Sequence, residues 1–144
     1  MKVLSFYKKY LQMRLFAQLK RRLNMTQFVQ NGERVDYTNG GSSAIEYNAI
    51  VAGADKVFVA AEKIEAGATG AVYAEGVFEF TTADTDAIAF GQKMYYNADD
   101  GITATASVTE GEEQSAVTTP NIFVGYAVQA IGASAGKKSI LIKL

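Results

Sequence analysis

From residue 26 onward the chain consists of short runs in which apolar and polar residues alternate, separated by glycine, asparagine and aspartate. Alternation with a period of two is typical of β-strands that bury one face. About eight such runs follow one another at a spacing of roughly ten residues, with no strand–helix–strand pattern between them. The sequence therefore predicts an all-β fold, a compact antiparallel β-barrel or sandwich of about eight short strands.

The clearest runs end in residues that favour turns. These runs are Glu33–Thr38, Lys56–Ala60, Ala71–Thr82, Lys93–Asn97, Asn121–Ile131 and Lys138–Leu144. Asn39-Gly40-Gly41 and Asp100-Gly101 lie at such ends, and Asn, Asp and Gly tolerate the positive φ angles that tight turns require. The polar and acidic stretch Val108–Thr119 lacks a clear alternation, and we expect it to be a loop.

The first 24 residues differ from the rest in composition and charge. They contain no Gly or Pro, seven basic residues and no acidic one, whereas residues 25–144 hold seven basic and fifteen acidic residues, a net charge of −8. Good helix formers without breakers predict a helix. We thus expect three regions: a basic helical extension at 1–24, an extended N-terminal arm at 25–37, and the β-barrel domain at 38–144.

Three interpretations of the basic helix are open. It could lie on a membrane surface or on nucleic acid, because basic amphipathic helices bind both. It could also dock on an acidic partner. In the third interpretation natural translation begins at Met25, where the composition changes abruptly. A membrane-spanning helix is not expected, because no apolar run approaches 18 residues.

The residue types present exclude most catalytic chemistry. The chain has no Cys and no His, so thiolate nucleophiles, imidazole bases and Cys/His zinc sites are absent. Asp84 with Asp86, and Asn97 with Asp99 and Asp100, lack the spacing of a complete calcium loop and are expected to be turn residues. Gly132–Ser139 departs from the phosphate-binding loop pattern and precedes a strand. We predict no enzyme activity, no catalytic residues, no cofactor and no metal.

The run Tyr73–Thr82 (YAEGVFEFTT) has an unusual second face. If it is one strand, the apolar face of Ala74, Gly76, Phe78 and Phe80 lines the core, with Gly76 in close contact with a neighbouring strand or aromatic ring. The opposite face carries Tyr73, Glu75, Val77 and Glu79. This face is too apolar to be ordinary solvent-exposed surface and too charged to be part of a core. The pattern therefore predicts that the face contacts a partner.

Four ordered segments resemble the capsid cement, or head decoration, family of tailed bacteriophages. They are Phe28–Thr38 (FVQNGERVDYT), Gly70–Phe80 (GAVYAEGVFEF), Gly91–Ala104 (GQKMYYNADDGITA) and Phe123–Leu144 (FVGYAVQAIGASAGKKSILIKL). The G-[DE]-x-[VI]-D-Y-T element of that family corresponds to residues 32–38. Its A-x-E-G-V-F-E element is matched by Ala74, Glu75, Gly76, Val77, Phe78 and Glu79, without a residue between Ala74 and Glu75. The resemblance covers residues 26–144 and leaves residues 1–24 without a counterpart.

This resemblance implies a structural virion protein that binds the outer surface of a phage or prophage head and stabilises the capsid lattice. The implied partners are the major capsid protein lattice and further copies of this chain in a homotrimer, with no nucleic acid and no membrane. The implied location is the outer surface of the virion capsid, and the host cytoplasm during assembly. Two sets of contact residues follow as hypotheses: Phe28, Val29, Arg34 and Tyr37 for the capsid, and Tyr73, Glu75, Val77 and Glu79 for the subunit interface.

In a further interpretation, the chain is a small β-barrel module that binds a ligand or a membrane surface. An exposed platform of Trp or Tyr would favour ligand binding, but the chain has no Trp. Tyr95 and Tyr96 are expected on opposite sides of one strand. The basic helix would be the anchor in a membrane-binding protein.

Overall fold

The computed structural model describes residues 2–23 and 28–144. The chain divides into two units, residues 1–30 and residues 31–144. The first unit contains one helix, α1 (Lys2–Leu23), as expected from the composition of this region. The boundary that we predicted between helix and arm, at residues 24–25, lies outside the described residues.

Eleven strands lie in the second unit, all within the part of the chain that is described. They are β1 (Arg34–Thr38), β2 (Ile50–Ala52), β3 (Val57–Ala60), β4 (Thr69–Tyr73), β5 (Val77–Thr82), β6 (Lys93–Asn97), β7 (Gly101–Thr103), β8 (Ser107–Glu110), β9 (Val117–Pro120), β10 (Ile122–Ala127) and β11 (Lys138–Lys143). The predicted all-β class with a basic N-terminal helix is confirmed.

The first four strands form an antiparallel sheet in the order β1-β4-β3-β2. Its inward side chains form one small core cluster, and Val35 and Tyr37 of β1 pack against it. The cluster consists of Val51, Ala60, Ile64 and Val72. Because side chains alternate along a strand, Val57 and Val59 of β3 point to the opposite face from Ala60 and belong to the other core cluster, so the sheet buries apolar side chains on both faces.

The remaining long strands form a closed barrel in the order β10-β11-β5-β7-β6. Its interior is filled by the larger core cluster, which includes Phe80, Met94, Ile102, Ile140 and Ile142, and Val57 and Val59 of β3 belong to the same cluster. The four-stranded sheet and the barrel therefore share apolar packing. In contrast to the predicted antiparallel pairing, β5 and β7 run parallel, paired at Thr82 and Ile102. The buried Thr82 hydroxyl donates a 2.7 Å hydrogen bond to the Ile102 carbonyl there.

The alternation of Ala71–Thr82 predicted a single strand, and this prediction is wrong. The run divides into β4 of the sheet and β5 of the barrel, with a bend at residues 74–76. Gly76 has a φ of 137°, which L-residues with a side chain rarely adopt, and its carbonyl accepts a hydrogen bond from the Leu144 amide. The alternation continues through the bend, which explains why the sequence pattern did not reveal the break.

The predicted loop Val108–Thr119 is instead a two-stranded antiparallel ribbon formed by β8 and β9. The hydroxyls of Thr109 and Thr118 are 3.0 Å apart across its two strands. Every residue from 111 to 120 is exposed, so no burial pattern marks β9 in the sequence. Its strand structure comes from pairing with β8, which local alternation cannot predict.

Three turns share one geometry, although their spacing along the chain differs. Asn48, Gly67 and Gly91 have φ angles of 63°, 77° and 79° at the third position of these turns. A positive φ at this position is the mark of a type II turn. Each turn follows an isoleucine that makes an isolated bridge: Ile45 with Ile64, and Ile88 with Ile131. Phe90, at the second position of the last turn, is 73% exposed.

Candidate interaction surface

The outer surface of the barrel carries exposed apolar side chains on three neighbouring strands. Val77 on β5 is 54% exposed, Tyr126 and Phe123 on β10 are 48% and 38% exposed, and Leu141 on β11 is 36% exposed. Their neighbours Phe80, Val124 and Ile142 point into the core. The barrel thus buries one set of apolar side chains and exposes another.

Strand register brings these residues side by side. Val77 pairs with Lys143, Lys143 with Tyr126, and Tyr126 with Lys93, so one row crosses β5, β11, β10 and β6. The Phe123 ring is 5.4 Å from the Tyr126 ring and 5.9 Å from the Tyr95 ring, both edge-to-face. We call this surface the aromatic face and define it by Val77, Lys93, Tyr95, Phe123, Tyr126, Leu141 and Lys143.

A bulge in β10 lets Phe123 and Tyr126 lie on the same side although they are three residues apart. The register between β10 and β6 shifts between Phe123 and Gly125. An extra residue in one strand reverses the alternation from that point on. The sequence analysis missed Phe123, Tyr126, Leu141 and Lys143 as contact residues. The glycine before Tyr126 was the available signal, because glycine inside a strand often marks a bulge.

The predicted interface residues lie in two adjoining places. Val77 belongs to the aromatic face, and Glu79 points outward from β5 opposite Leu141. Tyr73 is half-buried in β4, with its ring 5.3 Å from the Phe78 ring. Glu75 is exposed in the bend between the two strands. The structure therefore places Val77 and Glu79 on one strand, and Tyr73 and Glu75 beside it.

Tyr73 and Glu75 share a concavity with one of the predicted arm residues, Arg34. The Arg34 guanidinium donates a 2.8 Å hydrogen bond to the Tyr73 hydroxyl and lies 4.6 Å from the centre of its ring. The concavity has a volume of about 410 Å³ and is also lined by Glu33, Gly76 and Lys143. Because Lys143 lines it too, this mixed-charge groove adjoins the aromatic face.

The other predicted arm residues, Phe28, Val29 and Tyr37, lie in different surroundings. Phe28 and Val29 lie in the first unit and are 78% and 85% exposed. Tyr37 is a residue of β1, paired with Gly70 and packed against the smaller core cluster. Phe28 and Val29 have side chains free to contact a partner, whereas much of Tyr37 is already used in packing.

The side-chain oxygens of Asp84 and Asn97, which a cation could otherwise bind, accept hydrogen bonds within the chain. The Asp84 carboxylate accepts hydrogen bonds from the Thr103 hydroxyl at 3.0 Å and the Ala104 amide at 2.6 Å. The Asn97 side-chain oxygen accepts from the amides of Asp99 and Asp100. No group of three or more His, Cys, Asp or Glu residues suited to a metal occurs in the described ranges, 2–23 and 28–144.

The described titratable groups show one clear perturbation, and it lies at an exposed ion pair. A hydrogen bond to Glu65 raises the pKa of Lys63, and the charges of Glu65 and Glu46 raise it further. The Lys63 ammonium is 2.9 Å from the Glu65 carboxylate and 3.9 Å from that of Glu46. Such a pair is ordinary surface chemistry.

A comparison with models of protein families decides which family the chain belongs to. A family model describing phage cement proteins matches residues 29–144. The chain belongs to the phage cement protein family. The resemblance in the four ordered segments is thereby confirmed. No curated protein and no solved structure matches the chain significantly.

Membership in the phage cement protein family assigns a coarse role to the chain. It indicates a structural part in a phage, association with the phage capsid, and a place in the virion; the family is structural, not enzymatic. The matched range begins at Val29 and includes the whole aromatic face, whereas helix α1 lies before it. Among the described residues, no helix is long and apolar enough to cross a membrane.

Proposed function

We propose that this phage cement protein binds the outer surface of an assembled head as a homotrimer and stabilises the capsid lattice. The observation that carries the proposal is the family match over residues 29–144, which covers the entire β unit. The exposed aromatic face supports the homotrimer, because large apolar side chains clustered on a small protein favour a partner.

Stabilisation follows from linkage and from multivalency. A protein that binds only the assembled lattice lowers the free energy of that state by an amount set by its concentration relative to the dissociation constant. A trimer contacts several capsid subunits at once, so individually weak contacts are strengthened by a high effective concentration. This mechanism requires no catalytic residue.

One region of the chain contacts the capsid and another contacts a neighbouring subunit. Phe28 and Val29, both strongly exposed, and Arg34 and Tyr37 at the start of the sheet contact the capsid. Tyr73, Glu75, Val77 and Glu79 contact a neighbouring subunit. Terminal segments can order by adding to an exposed sheet edge of a partner, which suits a capsid-contacting arm.

The charge of the β unit supports a protein that stays dispersed until a lattice is available. Residues 25–144 carry a net charge of −8, and like charge opposes the aggregation of free trimers. The same charge opposes non-specific binding to nucleic acid, since phosphates repel an acidic surface. Specific apolar contacts then select the assembled head.

The test uses heads of the phage or prophage that encodes the chain, purified without it. The full chain is mixed with these heads and sedimented, and bound protein is measured together with the temperature at which the heads release DNA. We expect saturable binding and a higher release temperature. A chain that neither sediments with the heads nor changes the release temperature contradicts the proposal.

A second sample separates the contribution of the basic helix. A chain that begins at Met25 is expected to bind the heads as tightly as the full chain, because the family match begins only at Val29. Weaker binding of the shorter chain would assign a capsid contact to residues 1–24, whose seven basic side chains would then meet an acidic capsid surface.

A further inference from the structure

The β8–β9 ribbon lies in a stretch of the chain that has acidic but no basic residues. Between Lys93 and Lys137 the sequence has no basic residue and five acidic ones. Those five are Asp99, Asp100, Glu110, Glu112 and Glu113. Asp99, Asp100 and Glu110 line a shared concavity of about 350 Å³ at the base of the ribbon, with Glu112 and Glu113 in its turn. We call residues 107–120 the acidic ribbon.

The acidic ribbon pairs only with itself in the described part of the chain. All four residues of β9 are exposed, and Val117 is 66% exposed. A two-stranded hairpin in water is marginally stable unless it packs against something further. Ser107 and Val108 of β8 are partly buried, but β9 is exposed along its whole length, which suits the ribbon to packing against a partner.

The aromatic face itself carries two basic side chains, with the outward-pointing Glu79 beside it. Lys93 and Lys143 flank Tyr126, one on each neighbouring strand, and Arg34 adjoins them through the groove that Lys143 also lines. Three of the seven basic residues in 25–144 thus lie at or beside this surface, together with Glu79 on β5 and with Glu33 and Glu75 in the groove. Apolar side chains occupy the space between the lysines, which is the arrangement of a protein interface.

The ribbon does not cover the aromatic face of its own chain. Val77 and Tyr126 remain 54% and 48% exposed with the ribbon in place. The dimensions of the two surfaces nevertheless match. Four strands at about 4.8 Å spacing make the face roughly 14 Å wide, and four residues at about 3.3 Å each make a ribbon strand roughly 13 Å long.

We propose that the acidic ribbon of one copy packs across the aromatic face of the next copy, so that three identical head-to-tail contacts close a ring. The proposal rests on the homotrimer of the proposed function and names the surfaces that form it. Because the two surfaces differ, the contact is heterologous, and heterologous contacts form closed rings when the rotation between copies is suitable. Opposite charges set the register, and burial of Val77 and Tyr126 stabilises the contact.

Cross-linking between copies tests this contact directly, because the chain has no cysteine of its own. One variant carries Gln114→Cys in the ribbon turn, and a second carries Val77→Cys on the aromatic face. The two are mixed and treated with a flexible bismaleimide, in solution and on decorated heads. A third variant, Asp55→Cys, places the thiol on an exposed turn outside both surfaces and replaces Val77→Cys in the control mixture.

We expect the ribbon–face pair to cross-link at least ten times faster than the control pair, and more slowly in 1 M salt, which screens the charges. A chain carrying both Gln114→Cys and Val77→Cys should give covalent products that end at the trimer. Equal rates for the two mixtures, in solution and on heads, would overturn the proposal.

A charge exchange provides the second measurement. Glu110→Lys with Glu112→Lys in the ribbon should lower the trimer fraction in sedimentation, and so should Lys93→Glu with Lys143→Glu on the face. Combining all four changes should restore it. Failure of this rescue counts against the ribbon contact alone, since head binding by the unaltered chain tests the cement function independently.

Discussion

Gly125 on β10 lies so close to the backbone carbonyl of Lys143 on β11 that a Cβ on Gly125 would be 2.7 Å from the carbonyl carbon. Real Cβ atoms do not approach backbone this closely, so only glycine fits without moving a strand. The same glycine follows the register shift that turns Phe123 and Tyr126 to one side. Gly125 therefore both allows β10 and β11 to approach closely and lies at the bulge that presents the aromatic face.

The first prediction concerns this contact. Gly125→Ala should lower the free energy of unfolding by at least about 2 kcal/mol, because the added methyl group overlaps backbone that cannot rotate away. Urea unfolding of the isolated protein measures the change. Gly132→Ala is the matched control: no atom lies within 4 Å of its Cβ position, and the change should stay within about 0.5 kcal/mol. Equal losses for the two variants would contradict the explanation.

The second prediction concerns Asn39, whose side chain is 3% exposed between β1 and β2. Its amide nitrogen donates to the carbonyls of Ser43 and Ile64, at 2.8 and 3.1 Å, and its oxygen accepts from the Gly41 amide at 3.0 Å. Asn39→Ala removes all three bonds; the Ile64 carbonyl keeps its bond from the Ile45 amide, but the Ser43 carbonyl and the Gly41 amide lose the Asn39 side chain as a partner. The change should cost about 1–3 kcal/mol in urea unfolding. The exposed Asn31→Ala should change stability by less than about 0.5 kcal/mol. A loss no greater than that of the control would show that water replaces the amide.

Much of the fold was predictable because it depends on local pattern. Alternation identified the segments of β1, β6 and β11, and runs rich in β-branched and aromatic residues identified those of β3 and β10. The break between β4 and β5 was not predictable, because alternation is kept through the bend. The sequence did predict a close aromatic neighbour for Gly76: its Cβ position lies 2.9 Å from the Phe78 ring. The positive φ that breaks the strand depends on how two sheets meet, and no pattern encodes that.

The surface was less predictable than the fold. Val77 was identified as an exposed apolar residue from its own strand. Its neighbours Tyr126 and Leu141 come from segments about 50 and 64 residues away, and strand register, which local pattern does not determine, brings them together. The acidic stretch around Glu112 was interpreted as a solvated loop, because exposed strands carry no burial pattern.

The third prediction separates assembly from folding at the aromatic face. Val77→Asp should raise the dissociation constant of the trimer at least ten-fold, because a carboxylate buried in an apolar contact loses its hydration on assembly. The fold should be kept, since Val77 is 54% exposed in the single chain. Sedimentation over a range of concentrations measures assembly, and urea unfolding measures stability. Ala54→Asp, on an exposed turn, should leave the trimer intact. An intact trimer with Val77→Asp would remove this residue from the interface.

The last prediction concerns the arm. Phe28→Ser with Val29→Ser should reduce binding to purified heads at least ten-fold while leaving trimer formation and urea unfolding unchanged. Both side chains are more than three-quarters exposed, so they contribute little to folding, and burying them against the capsid would remove apolar surface from water. Phe90→Ser is the matched control, since it removes an equally exposed aromatic ring, 73% accessible, from a turn of the β unit. Undiminished binding by the double variant would show that the capsid contact lies elsewhere. Equal losses in the double variant and in the control would show that general surface hydrophobicity, rather than the arm, governs binding.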